Sequence, residues 1–101
     1  MRIHFEQTGG IMGRRVNLEL DLSDLPITVA ESLRLALDKT NFFALPEDLV
    51  TRLMPDELLY VITVESETVV HSVRTSDTTA TPALRILIQD LSQQVRLRRT
   101  K

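Results

Sequence analysis

Residues 16–22 read Val-Asn-Leu-Glu-Leu-Asp-Leu, an unbroken alternation of apolar and polar side chains. Successive side chains on a strand point to opposite faces, so this stretch fits a strand with one face on a core and one in water. A helix would scatter the same leucines around its circumference. The chain therefore contains a sheet covered on one side only, and the other elements must supply the cover.

The same period opens the chain, where Ile3 and Phe5 alternate with His4 and Glu6 ahead of Gln7. Between the two strands lie all three glycines, at positions 9, 10 and 13, which permit positive φ and read as the connection of a hairpin. After Leu25-Pro26, Thr28 and Glu31 have capping-box spacing. Ala30, Leu33, Ala36 and Leu37 then form the apolar stripe of a helix over about residues 28–40, ending near Asn41. Phe42-Phe43-Ala44-Leu45-Pro46 reads as a core-plugging connection, and Pro46 to Glu57 as an irregular surface excursion with one short turn of helix. Leu58 to Val64 is a β-branched, aromatic strand expected to be buried on both faces at its centre. Glu65-Ser66-Glu67 turns it into a fourth strand, Thr68 to Arg74. Thr81 and Pro82 open a last helix over about residues 82–97, with Leu84, Leu87, Ile88, Leu91 and Val95 at helical spacing.

The order strand, strand, helix, strand, strand, helix predicts one α+β domain spanning residues 1–101: a four-stranded, mainly antiparallel sheet of two β-hairpins, with both helices packed on one face. The open face carries Arg2, His4, Glu6, Asn17, Glu19 and Asp21. A sheet left open on one side suits a binding module.

With no cysteine, disulfides, thiolate metal sites and cysteine nucleophiles are excluded. No run approaches the roughly 18 apolar residues of a membrane span. Met1-Arg2-Ile3-His4 starts a strand pattern where an export signal would be charged and then apolar, so the expected location is the cytoplasm. The net charge is −2, but Arg96, Arg98, Arg99 and Lys101 put four cations at the end, leaving the body at −6. A solvated basic helix end explains that tail, because cations are favoured there. The alternative is nucleic-acid or membrane contact, which an acidic body opposes.

Catalytic chemistry finds little support. Two histidines without H-x-x-x-H or E-x-x-H spacing make no recognisable zinc site, and no cofactor is expected. His4 reads as a solvated or cross-strand partner on a polar face, and His71, alternating with Val69 and Val73, as a hydrogen-bonded, half-buried core residue. No G-x-S-x-G places a serine nucleophile. Glu65 and Glu67, at the tip of an open hairpin, lack the desolvation that separates the roles of paired carboxylates. The chain reads as a non-enzyme.

That leaves Thr8-Gly9-Gly10-Ile11-Met12-Gly13, two large apolar residues framed by glycine. Ile11 could fold back onto the sheet edge, or the tip could project as an apolar plug whose glycines let a partner's backbone come close. With these landmarks in order stand Asp21, Leu25 and Pro26, then Phe42-Phe43-Ala44-Leu45-Pro46, Pro55-Asp56, Tyr60, Ile62 and Val64, His71-Ser72-Val73, Asp77, and the Pro82-led leucine helix. Over nearly its whole length this pattern resembles the emfourin family, small bacterial inhibitors of thermolysin-like zinc metalloproteases associated with protealysin. Thr8, Ile11 and Met12 stand where the family pattern reads Ser, Phe and Ala, and the second hairpin turn lacks an expected glycine.

The resemblance implies a partner, a thermolysin-like metalloprotease carrying its own zinc, whose active-site cleft is occluded by the loop of Thr8, Gly9, Gly10, Ile11, Met12 and Gly13. It implies neither a nucleic-acid nor a membrane partner. Such enzymes accept a large apolar side chain just after the scissile bond, which Ile11 or Met12 would supply. The other reading of the same loop is a non-enzymatic interaction module with a different partner.

Overall fold

A computed structural model describes residues 1–10, 15–52, 54 and 56–99. Four strands, β1 (Arg2–Gly9), β2 (Val16–Asp21), β3 (Leu58–Glu65) and β4 (Val70–Ser76), form one sheet in the order β2-β1-β3-β4. Every neighbouring pair is antiparallel. Helix α1 (Ile27–Thr40) and helix α2 (Pro82–Arg99) cover one face, as the alternation requires.

The registers explain the burial. Ile3 lies between Leu20 and Val64, and Phe5 between Leu18 and Ile62, which pairs onward with Val73. All of these are buried, and they meet Leu33 and Leu37 of α1 and Leu84, Leu87 and Leu91 of α2 in one core. Each such side chain contributes roughly 1.5–3 kcal/mol on burial. The Phe5 and Tyr60 rings stack with centroids 6.0 Å apart. On the other face Arg2, His4, Asn17 and Glu19 are exposed, and Glu6 and Asp21 half-exposed. His4 Nε2 lies 3.0 Å from Asn17 Oδ1 across the strands.

Several boundaries differ from expectation, each for a local reason. β1 runs on through Thr8 and Gly9, which pair with Leu59 and Leu58, so these two residues are strand and not loop. β3 is fully buried only on the helix side, at Tyr60, Ile62 and Val64; Val61 and Thr63, on the face away from the helices, are half-buried. Residues Thr68 and Val69 belong to the turn, and β4 extends instead to Ser76. That turn closes without glycine: Ser66 N–H donates to the Val69 carbonyl at 2.8 Å and Ser66 Oγ accepts from Val69 N–H at 3.1 Å. The capping box is not used. α1 begins at Ile27 behind Pro26 with no side-chain cap, so Thr28 already lies inside the helix.

Other local signals hold. α1 ends at Asn41, left-handed at φ 53°, ψ 50°, a conformation asparagine tolerates. Thr81 Oγ1 accepts the Leu84 N–H at 3.2 Å, capping α2. Of the connection after α1, Phe42 is buried while Phe43 is exposed. His71 Nε2 donates to the Leu45 carbonyl at 2.7 Å, with its ring edge-on to Phe42. The excursion after Pro46 contains one hydrogen-bonded turn, in which Glu57 N–H donates to Met54 O at 3.1 Å, and no helix among its described residues. Instead Arg74 N–H donates to Glu47 O and Leu49 N–H to Arg74 O, each at 2.8 Å, so this segment covers part of the β4 edge. Unpaired edges invite association.

Candidate functional site: a braced glycine stem

β1 pairs with β2 only as far as Gln7 opposite Val16, whereas its pairing with β3 continues to Gly9 opposite Leu58. The loop stem is therefore held from the β3 side. Both stem glycines have positive φ, +90° at Gly9 and +77° at Gly10. A Cβ on Gly9 would lie 2.8 Å from the Glu57 carbonyl oxygen, backbone that cannot swing aside. On Gly10 it would meet, among the described residues, the end of the Leu58 side chain, at 3.0 Å. Gly9 is thus demanded by close approach and by φ, Gly10 chiefly by φ. The Gly10 N–H donates to that same Glu57 carbonyl at 3.3 Å.

Glu57 and Leu58 are in turn anchored by the turn that follows β4. Asp77 is the hub: its Oδ2 accepts the Leu58 N–H at 3.1 Å, its Oδ1 accepts the Tyr60 hydroxyl at 2.7 Å, and its N–H donates to Leu58 O at 3.3 Å. Thr78 N–H donates to Glu57 Oε1, while Oε2 is covered and has no hydrogen-bond partner among the described residues. Thr79 Oγ1 accepts the Ser76 N–H at 3.0 Å, and Arg85 on α2 donates to Asp77 O at 3.0 Å. A continuous brace so runs from the glycine stem through Glu57 to Asp77 and the start of α2.

The electrostatics favour the donor form of Tyr60 and the acceptor form of Glu57. Burial, with the Asp77 carboxylate beside it, pushes the Tyr60 hydroxyl above its ordinary range, so it remains a donor. Hydrogen bonding from Thr78 holds the Glu57 carboxyl below its ordinary value, so it remains an acceptor. The arrangement can hold a loop stem rigid. Among the described residues no cluster of three or more histidines and carboxylates could hold a metal ion, and no helix is long and apolar enough to cross a membrane.

Of the expected site residues, Thr8 lies half-buried on β1, Gly9 ends that strand and Gly10 makes the bend that follows. Ile11, Met12 and Gly13 lie outside the described residues. The basic end continues α2, with Arg96 and Arg98 exposed on it. Glu57 and Thr78 were not legible as partners of the stem, and Asp77 stood out only as a landmark of a resemblance. Their bonds close across 17 to 21 residues, and no local pattern marks such contacts.

The family model of emfourin matches residues 5–92, most of the chain. The chain belongs to the emfourin family. The match takes in the glycine stem, Glu57, the Asp77 turn and the body of both helices. Emfourin is an inhibitor family, so membership suggests a protease-inhibitor role and a protein partner. No curated protein and no solved structure is significantly similar to the chain.

Proposed function

We propose that this emfourin-family chain inhibits thermolysin-like zinc metalloproteases without itself being an enzyme, its loop from Thr8 to Gly13 entering and occluding the active-site cleft. The braced stem carries the reading. A loop whose first residues are already fixed by Glu57 and Asp77 loses less conformational freedom on binding, a cost otherwise about 1–2 kcal/mol per residue of backbone. Ile11 and Met12 supply the apolar side chains such a cleft accepts, and Gly10 and Gly13 flank them with backbone free of side chains.

The test is inhibition of a thermolysin-like protease by the parent and by a chain carrying Ile11→Asp with Met12→Asp. Loss of a buried anchor costs about 2 kcal/mol or more, roughly thirtyfold in the inhibition constant. Stability should stay within about 0.5 kcal/mol, the ordinary range for exposed substitutions. A double variant that unfolds, or one that inhibits like the parent, refutes the proposal.

A further inference from the structure

Both helices carry more apolar surface than the sheet uses. Leu33 and Leu37 of α1 and Leu84, Leu87 and Leu91 of α2 face the core, yet Leu35 and Ile86 are 55% and 52% exposed. These two line one depression of about 260 Å³ with Lys39 and Asp90. A second, of about 250 Å³, shares Ser32 and Asp90 with the first and runs on to Leu97. Each has room for a large side chain, and together they form one groove along the outer side of the helix pair.

We propose that this groove is a second protein-docking site, separate from the glycine loop, which takes an amphipathic helix carrying one arginine or lysine between apolar residues. The lining positions step by three and four along each helix, Ser32, Leu35 and Lys39 on one and Ile86 and Asp90 on the other, the spacing by which helices seat one another's side chains. Groove walls made of helix interiors have their backbone groups already bonded, so an extended peptide would find no ladder to join. A third helix needs none.

Charge selects the kind of helix. Asp90 sits where the two depressions meet, half-buried, and its carboxylate makes no hydrogen bond or ion pair with any described residue. Lys39 lines the same depression without pairing with it. Burial raises the Asp90 carboxyl above its ordinary value, the mark of a charge left uncompensated. A basic side chain between apolar flanks would compensate it while those flanks cover Leu35 and Ile86. A second copy of this chain is the competing occupant, because a two-fold contact pairs the patch with itself and offers Asp90 only the charges this groove already carries, Lys39 and Asp90; self-association would reveal it.

The probe is a synthetic helical peptide of about 18 residues, roughly the length of α2, with one Arg flanked by Leu at i−4 and i+3, titrated into the isotopically labelled full chain. Amide shifts should move at Ser32, Leu35, Ile86 and Asp90 and stay fixed at Gly9 and Gly10. Replacing the peptide Arg by Glu should weaken binding about tenfold or more, as expected for loss of a charge-assisted bond. Asp90→Lys, checked for an unchanged melting temperature, should reverse the preference between the two peptides. Equal binding of both peptides, no saturation, shifts outside the groove, or self-association of the chain through this face in sedimentation would each overturn the proposal.

Discussion

Gly9→Ala against Gly10→Ala separates the two reasons for glycine in the stem. A non-glycine residue held at a φ of this kind costs about 1–3 kcal/mol, and both positions incur it, at +90° and +77°. Only at Gly9 does the new methyl meet backbone, with 2.8 Å to the Glu57 carbonyl oxygen. Relieving it must shift the start of β3 or the stem itself, an overpacking cost of about 1–3 kcal/mol. At Gly10 the obstacle is the tip of Leu58, 3.0 Å away, and a rotamer change clears it. The loss of unfolded-state freedom on replacing glycine is common to both variants and cancels between them. Gly9→Ala should therefore be the less stable of the two by about 1–3 kcal/mol, read as a lower urea midpoint at unchanged slope. Against an ordinary domain stability of about 5–15 kcal/mol, these costs of about 2–6 kcal/mol for Gly9→Ala call for inhibition to be compared at a temperature where both variants are folded, and it should fall further for Gly9→Ala. Equal midpoints, or Gly10→Ala as the less stable variant, would show that the Glu57 carbonyl does not set the stem.

Tyr60→Phe removes a hydroxyl donating to a carboxylate at 2.7 Å and should cost about 1.5–3 kcal/mol. Combined with Asp77→Ala in a double-mutant cycle by denaturant unfolding, it should show coupling of about 0.5–3 kcal/mol, whereas additive losses would mean that the pair is not a unit. Acid titration of stability tests Glu57. Its folded pKa lies below the ordinary 4.5, so its contribution is complete above that value and is lost as pH falls through the folded pKa. Glu57→Gln should flatten that acid loss. Asp90 has the opposite sign, its folded pKa being raised by burial, so Asp90→Asn should make the acid loss steeper. Unchanged pH profiles in both variants would contradict the two shifts.

The kind and order of the elements were legible in the local chain. Alternation in residues 16–22 and the helical stripes beginning at Ala30 and Leu84 required a sheet covered on one side by two helices, and that is how the core is built. Asn41 and Thr81 marked helix ends, and the order of landmarks carried the family resemblance that the match over residues 5–92 bears out. Packing between distant segments settles the rest: Pro26 starts α1 without the Thr28 cap, β3 is fully buried on one face alone, and Thr8 and Gly9 are strand. Such packing alone placed the Glu57 carbonyl where a Gly9 side chain would go and joined Asp77 to Leu58 and Tyr60. The difference lies in range. Periodicity and caps are settled among residues about three or four apart, so the local chain carries them. The bonds of Asp77 and Thr78 to Glu57, Leu58 and Tyr60 close over 17 to 21 residues, that of Gly10 to Glu57 over still more, and the brace forms only after the core has brought β1, β3 and the start of α2 together.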